Sequence, residues 1–149
     1  MLGEGYKHSY DQLISEIKKD SDHEIILAKA NKSMWQILKN CILAILPGGI
    51  TTYEAAYAGL PTLNLLENEK SYFLIKELEE KKVCLYNGKI NPENIEKVND
   101  TIEHLYHNRK ELLMMHINSK QLIPNMSASN IYNKCVEILK EKNSRANMS

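Results

Sequence analysis

The sequence predicts an α/β protein in which a doubly wound parallel sheet is followed by a helical C-terminal tail. Short apolar runs bounded by turn residues alternate with segments of helical period as far as Asn87-Gly88. From Pro92 onward the apolar period is helical alone. Strands that alternate with helices are typical of parallel sheets, because two parallel strands need a long crossover connection between them.

The first predicted helix begins after Ser9, a residue type that caps helix N-termini. Its apolar residues share one face: Tyr10, Leu13, Ile14 and Ile17. The predicted strands cover residues 24–28, 41–46, 62–66 and 83–86. The predicted helices between these strands cover residues 33–39, 52–58 and 68–81. The run 41–46 is apolar without interruption, which predicts a strand that is buried on both faces of the sheet.

Glycine and proline set the ends of several elements. Gly59 and Pro61 end the helix over residues 52–58, and Asn87-Gly88 ends the last strand. The helical tail has two predicted apolar faces. One contains Ile95, Val98, Ile102 and Leu105, and the other contains Ile131, Cys135, Ile138 and Leu139.

Composition excludes several classes of protein. The 149 residues fit one domain, and 19 basic residues balance 19 acidic ones. A nucleic-acid-binding protein usually carries a basic excess or stripe, which this chain lacks. No apolar run is long enough for a transmembrane segment. The three cysteines are odd in number and lie in apolar runs, which predicts reduced core thiols in a cytoplasmic protein: Cys41, Cys84 and Cys135.

A glycine turn after the strand 41–46 is the strongest functional signal. The segment Ile45-Leu46-Pro47-Gly48-Gly49-Ile50-Thr51-Thr52-Tyr53-Glu54 joins an apolar strand to a helix that opens with hydroxyl residues. Backbone N–H groups and a helix N-terminus meet there, which predicts a phosphate cradle without a Walker lysine. Two other interpretations remain open. The glycines also permit a tight turn, and Thr51 with Glu54 fits a capping box.

A second glycine-rich turn lies at the start of the chain. Gly3-Glu4-Gly5-Tyr6 has the composition of a turn between a strand and a helix, yet only Met1 and Leu2 precede it. We therefore expect the chain to lack the first strand of its fold. A missing central strand would leave an unpaired sheet edge, which predicts self-association. We also expect the turn 3–6 to lie beside the turn 48–52, where a doubly wound sheet binds its ligand.

The motifs carry a family resemblance. Gly48-Gly49-Ile50-Thr51-Thr52-Tyr53-Glu54 is followed by Gly59-Leu60-Pro61 and by Leu65-Leu66-Glu67-Asn68-Glu69. This order resembles the C-terminal domain of GT-B enzymes in glycosyltransferase family 28. It is most similar to the UDP-sugar hydrolases of the pseudaminic acid pathway and to spore coat polysaccharide biosynthesis proteins. The match extends loosely over residues 3–86, and residues 124–139 are similar to the closing helix of such domains.

The resemblance implies a Rossmann-like GT-B C-terminal half that binds UDP or a UDP-sugar opposite an N-terminal domain or partner subunit. It implies substrate contacts from residues at the turns: Gly3, Gly5, Tyr6, Gly48, Gly49, Ile50, Thr51, Thr52, Glu54, Glu67, Asn68 and Glu69. Glu54 matches the glutamate that accepts from the ribose hydroxyls. Relatives commonly have glutamine where this chain has Glu69, which leaves the sugar and the reaction open. Asn68 is alternatively an N-cap.

No catalytic residue is legible in the sequence. A glycosyl transfer or hydrolysis needs a general base, which in the hydrolase relatives comes mainly from the N-terminal domain. His104, His107 and His116 have no carboxylate or thiolate that completes a ligand set, so neither a metal nor another cofactor is predicted. Two alternatives stay open: a noncatalytic partner subunit of a split glycosyltransferase, and an unrelated α/β phosphate-binding domain.

Overall fold

The chain divides into two compact units, Met1–Ile37 and Leu38–Ser149. A computed structural model describes residues 6–28, 38–122 and 127–146. The predicted helix at 33–39 lies outside these residues except for its last two positions, of which Leu38 is helical. None of the helices in the described ranges is both long and apolar enough to cross a membrane.

The first unit contains helix α1 (Tyr10–Lys19), which begins where the sequence predicts. The Ser9 hydroxyl oxygen accepts a hydrogen bond from the Gln12 N–H at 3.3 Å, which satisfies one of the open donors at the helix start. Acidic Asp11 near the start and Lys18 and Lys19 at the end complement the helix dipole. No residue of α1 is buried.

The predicted strand over residues 24–28 is wrong. This segment has no regular secondary structure, and Ile25, Ile26 and Leu27 are exposed. An apolar β-branched run becomes a strand only where a neighbouring strand meets its backbone N–H and C=O groups. No such neighbour pairs with it within the described residues.

The second unit contains a three-stranded parallel sheet, which confirms the mixed α/β prediction. Its strands are β1 (Ala44–Leu46), β2 (Thr62–Leu66) and β3 (Cys84–Lys89), in the order β1-β2-β3. Leu63, the second residue of β2, pairs with Ile45 on one side and Leu85 on the other. All three carboxyl ends therefore point to one edge of the sheet.

Two strands differ from their predicted form. β1 is shorter than residues 41–46, and the prediction of burial on both faces is wrong: Ile45 in β1 is 49% exposed, and Ile42, which precedes β1, is 55% exposed. Within the described residues β1 pairs with β2 alone. Its backbone therefore has a neighbouring strand on one side, whereas a central strand has one on each side. β3 continues to Lys89, beyond the predicted end, because Gly88 adopts a φ of +93° where the register with β2 shifts.

Helices and tight turns connect and follow the strands. The helices are α2 (Ile50–Ala58), α3 (Lys76–Glu80), α4 (Ile95–His107), α5 (Arg109–Leu122) and α6 (Ser127–Ala146). Short 3-10 helices cover Glu69–Leu74 and Pro92–Asn94. The segment predicted as one helix over 68–81 is thus a 3-10 helix followed by α3.

Helix α2 begins two residues earlier than predicted, and its capping box is wrong. Gly49 is the N-cap and no side chain caps the helix, so Thr51 and Glu54 lie inside it. The end of α2 is as predicted. Gly59 adopts the left-handed conformation with φ +79°, and the N–H groups of Gly59 and Leu60 donate to carbonyls in the last turn of the helix.

Two side chains of helix α5 bind the C-terminal end of α2. The His116 Nδ1–H donates to the Gly59 carbonyl at 2.6 Å, and the Lys120 ammonium donates to the Tyr57 carbonyl at 3.1 Å. Carbonyl groups at the end of a helix have no partner within the helix. Side chains from the tail therefore complete the helix that follows the glycine turn.

The core lies between β2, β3 and the segments beside them. Its central cluster consists of Ala56, Leu66, Ile75, Leu78, Val83 and Cys84. Burial raises the pKa of the Cys84 thiol to about 12, as expected for a core cysteine. Cys41 and Cys135 are exposed, so the prediction of three core thiols holds for Cys84 alone.

The two predicted apolar faces of the tail differ in burial. Leu105 is buried on α4, whereas Ile95 at the start of that helix is 58% exposed. The predicted face of α6 is exposed: Ile131, Cys135, Ile138 and Leu139. Helical period alone shows which residues share a face and not which element covers it.

A buried polar chain links α2 to the sheet. The Thr52 hydroxyl donates to the Asn64 side-chain oxygen at 2.7 Å, and the Asn64 amide nitrogen donates to the Thr62 hydroxyl at 3.2 Å. All three residues are at most 1% exposed. Buried polar atoms are costly without a partner, and within the described residues no buried side-chain nitrogen or oxygen lacks one.

We predict that Thr52→Val lowers the free energy of unfolding by about 1–3 kcal/mol, because it leaves the buried Asn64 oxygen without its donor. Valine keeps the size and the branching of threonine. Thr51→Val, one position earlier on a half-buried residue, is the matched control and is expected to change stability by less than about 0.5 kcal/mol. Urea unfolding of both variants measures the difference. Equal losses in the two variants would contradict the role of the buried chain.

Candidate functional site

A cleft of about 280 Å³ lies at the carboxyl ends of β1 and β2. Pro47, Gly48 and Gly49 enter it directly after β1, and Glu67 and Asn68 enter it directly after β2. The 3-10 helix that follows contributes Ser71 and Leu74. The structure thus brings together four of the residues that the sequence predicts as a site: Gly48, Gly49, Glu67 and Asn68.

The two glycines of the turn meet different requirements. Gly48 has φ +86°, and a Cβ atom there would overlap the Leu66 side chain of β2. Gly49 has φ +85° and ψ −152°, a region that is essentially restricted to glycine, and a Cβ atom there would meet nothing within 4 Å. Packing against the sheet explains Gly48. Gly49 is required by its backbone conformation, and it leaves open space beside the cleft.

The N-terminus of α2 adjoins the cleft through Gly49. Because the N-cap residue is a glycine, no capping side chain binds the N–H groups of the first turn within the described residues. Such groups carry a partial positive charge and are a common binding site for phosphate. The turn and the helix start therefore supply the kind of donor that the predicted phosphate cradle needs.

The hydroxyl and apolar residues of the motif lie outside the lining of the cleft. Thr52 is buried and its hydroxyl is bound to Asn64, which leaves its side chain no access to a ligand. Ile50 is 80% exposed, and Thr51 and Glu54 are half-buried. Glu54 lies one helical turn after Ile50, about 6 Å further along the axis of α2.

Asn68 is an N-cap, as one of the two interpretations of the sequence proposes. Its side-chain oxygen accepts from the Lys70 N–H at 2.9 Å and opens the 3-10 helix. The same residue lines the cleft, and its amide nitrogen is a donor that this bond does not use. Glu69 is exposed and is not among the lining residues.

The 3-10 helix is held against β3 by one carboxylate. The Tyr72 hydroxyl donates to one Glu79 oxygen at 2.6 Å, and the Tyr86 N–H donates to the other at 3.1 Å. The hydrogen bond to Glu79 is the main cause that raises the pKa of Tyr72 to about 12. The rings of Tyr72 and Tyr86 also pack together, with centroids 5.0 Å apart. These contacts fix the backbone that carries Ser71 into the cleft.

The charge of the cleft is unusual for a phosphate site. Of the residues that line it, Glu67 is the one with a charge, and none is Lys, Arg or His. A carboxylate repels phosphate and accepts well from hydroxyl groups. The cleft therefore has a donor side at Gly49 and α2, and an acceptor side at Glu67.

The N-terminal part of the predicted site lies mostly outside the described residues. Gly3 and Gly5 are not described, and Tyr6 belongs to the first unit, where its ring packs edge-on against Tyr10 at 5.2 Å. The adjacency of the turns 3–6 and 48–52 stays a prediction. Within the ranges that the structure covers, no group of three or more His, Cys, Asp or Glu residues is placed to hold a metal ion.

A second cavity near the same edge of the sheet was not predicted from the sequence. It measures about 380 Å³ and is mostly apolar, with Leu65 of β2 and Ile90, Pro92 and Ile95 after β3. The segment 89–92 carries no recognisable motif. Only the place of these residues in the fold indicates the cavity. Residues that follow β3 lie beside those that follow β2, because the two strands are parallel.

Comparison with known proteins finds no match to the chain among family models, curated proteins or solved structures.

We predict that Gly48→Ala destabilises the protein more than Gly49→Ala does. Both replacements place alanine at a positive φ, which costs about 1–3 kcal/mol. Gly48→Ala also forces a methyl group into Leu66, which is 1% exposed and has little room to move, and overpacking of this kind adds about 1–3 kcal/mol. Chemical unfolding measures both variants. A Gly49→Ala variant that is the less stable of the two would contradict the geometry of the turn.

Proposed function

We propose that the second unit binds the nucleotide diphosphate of a UDP-sugar, as the donor-binding half of a glycosyltransferase or a UDP-sugar hydrolase. The pathway we propose is the biosynthesis of surface or capsular polysaccharide or of nonulosonic acid. One observation carries the proposal. Gly48-Gly49 and Glu67-Asn68, which are separate motifs of the family 28 resemblance, line one cleft at the carboxyl ends of neighbouring parallel strands.

The polarity of the cleft supports an orientation for the ligand. The diphosphate lies at Gly49, where backbone N–H groups and the N-terminus of α2 oppose its negative charge. Hydroxyl groups of the sugar lie towards Glu67, which accepts from them. When the glycosidic bond to the diphosphate breaks, negative charge grows on the leaving group, and fixed N–H donors stabilise that charge without rearrangement.

The ribose, in this orientation, extends along α2 towards Glu54. Glu54 is not among the lining residues of the cleft, and no hydrogen bond of a capping box engages it. A half-buried carboxylate one turn from the helix start is free to accept from a pair of adjacent hydroxyl groups. This is the role that the resemblance implies for Glu54.

We propose that β1 to β3 are one run of a doubly wound, Rossmann-like sheet, and that an N-terminal domain or a partner subunit supplies the general base. Glu67 and Ser71 are the lining residues whose side chains can take part in proton transfer, and the described lining contains no histidine or lysine. The isolated chain is then inactive. The same observation favours a second candidate, a noncatalytic subunit that completes an active site with another polypeptide.

A panel of nucleotides observed by NMR tests the binding. UDP and UDP-sugars are expected to bind more tightly than GDP and ADP, and UMP is the matched ligand that lacks the diphosphate. The backbone amides of Gly48, Gly49 and Asn68 are expected to shift with UDP and to shift much less with UMP. Equal responses to UDP and UMP, or shifts that avoid these three amides, would overturn the proposed site.

We predict that Glu54→Gln weakens UDP binding by about ten- to a hundredfold, since it removes a charge-assisted hydrogen bond worth roughly 1.5–3 kcal/mol. Stability should change by less than about 1 kcal/mol, because Glu54 caps no helix. Glu103→Gln, on an exposed position of α4, is the matched control. Calorimetric titration and thermal unfolding give the two quantities. A sharp fall in melting temperature with unchanged UDP affinity would show that Glu54 has a structural role.

A further inference from the structure

The largest of the described cavities is separate from the proposed nucleotide site. It measures about 550 Å³, and on the sheet it involves Lys82, which precedes β3, and Leu85, the second residue of that strand. The nucleotide cleft lies at the carboxyl ends of β1 and β2. Because the strands are parallel, the two cavities occupy opposite ends of the sheet. The larger one is completed by the corner between α4 and α5 and by one face of α5.

The interior of this cavity is apolar. Leu85 contributes from the sheet, and Met114 and Met115 contribute from α5. Met115 is 2% exposed, whereas Met114 is 48% exposed and leaves much of its side chain uncovered. Methionine side chains are flexible and polarisable, so they adapt to apolar ligands of different shape. Ligand cavities of about 300–1,000 Å³ with mostly apolar walls are typical small-molecule sites.

Most polar groups around the cavity already have partners within the protein. The His104 Nε2 and a Glu111 oxygen are 2.9 Å apart, and the Asn108 amide donates to the His104 carbonyl at 3.0 Å. The Asn118 amide donates to the Lys82 carbonyl at 3.1 Å. These bonds hold the polar side chains of the cavity wall in place. Among the described residues, the charged groups of the lining without such a partner are the ammonium groups of Lys82 and Lys110.

Positive charge exceeds negative charge at the rim. Lys82 and Lys110 face one carboxylate, that of Glu111, which His104 contacts. Within the part of the chain that the structure describes, neither lysine is within 4.0 Å of a carboxylate oxygen. The first turn of α5 also belongs to the lining, and the positive end of its helix dipole adds to the charge of the lysines.

Lys82 occupies a position where glycine is usual. Its φ is +55°, and its N–H and that of Val83 donate to carbonyls in α3, as in a helix that ends with a left-handed residue. Glycine is strongly preferred there because a Cβ atom is strained at positive φ. This strain is common to every residue with a Cβ atom, so replacing Lys82 by another such residue changes the ammonium group and not the backbone.

We propose that this cavity binds a small molecule with an apolar body and a single anionic group, a carboxylate or a sulfonate. The apolar body contacts Leu85, Met114 and Met115, and the anionic group lies between Lys82 and Lys110. The site is independent of the proposed nucleotide site, and a ligand bound there neither requires UDP nor competes with it.

Two dyes test the ligand class on the full chain. Anilinonaphthalene sulfonate has an apolar body with one negative charge, and phenylnaphthylamine has the same rings without the charge. The sulfonate is expected to bind at least threefold more tightly, with no displacement by UDP. Equal affinity for the two dyes would overturn the anionic class, and displacement of the sulfonate by UDP would overturn the separate site.

A pair of neighbouring substitutions locates the binding. Met114→Glu places a negative charge in the cavity, and Leu113→Glu places the same charge at an exposed residue outside its lining. Met114→Glu is expected to weaken binding of the sulfonate at least tenfold, and Leu113→Glu less than twofold. Because both residues are exposed, neither substitution disturbs the core. Similar effects of the two variants would show that the dye binds elsewhere on the surface.

A second pair isolates the lysine. Lys82→Gln is expected to weaken the sulfonate about three- to tenfold and to leave phenylnaphthylamine unchanged, whereas Lys81→Gln, which lies outside the lining, should leave both dyes unchanged. Glutamine keeps the same backbone strain at position 82, so the comparison measures the charge. A Lys82→Gln variant that binds the sulfonate as tightly as the unmodified protein does would overturn the role of Lys82.

Discussion

The side chain of Asn64 is the polar centre on which the arrangement of the second unit depends. It lies in the middle of β2, the strand with a partner on each side, and it is fully buried. Its oxygen accepts from Thr52 of α2 and its nitrogen donates to Thr62 of the same strand. An amide with no water around it is stable only if both ends are bound, so α2 must keep its first turn over β2. This constraint positions the start of α2 at the cleft, since Gly49 precedes Thr52 by less than one helical turn.

The elements that the sequence predicts well depend on local signals. The start of α1 at Ser9 and the end of α2 at Gly59 follow from the backbone groups that a helix leaves open at its ends. The bounds of β2 are as predicted because Pro61 precedes the strand and polar residues follow it. The position of the cleft could also be predicted from the sequence. Two motifs that follow adjacent parallel strands meet at one edge, whatever their separation in sequence.

The elements that sequence reasoning missed depend on what lies next to a segment in space. Ile25, Ile26 and Leu27 are as apolar as β1, yet only β1 has a strand beside it within the described residues. Cys135 has an apolar setting along the chain and an exposed one in the fold. Thr52 was predicted as a ligand residue, because its hydrogen bond to Asn64 spans two elements and leaves no local signal in the sequence around Thr52. The polar residue within Thr62–Leu66 was the one available sign of that bond.

Contacts with other elements hold both ends of α2, so the cleft depends on helix α5 as well as on the glycine turn. One end of α2 is set by the glycine turn and the buried amide of β2, and the other is fastened by His116 and Lys120, which lie more than fifty residues further along the chain. A helix of nine residues has only about two and a half turns, so its two ends lie about 14 Å apart. Changes in the tail, far from any residue that lines the cleft, are therefore expected to reach the Gly49 end of α2 as a tilt of the whole helix rather than as a local disturbance.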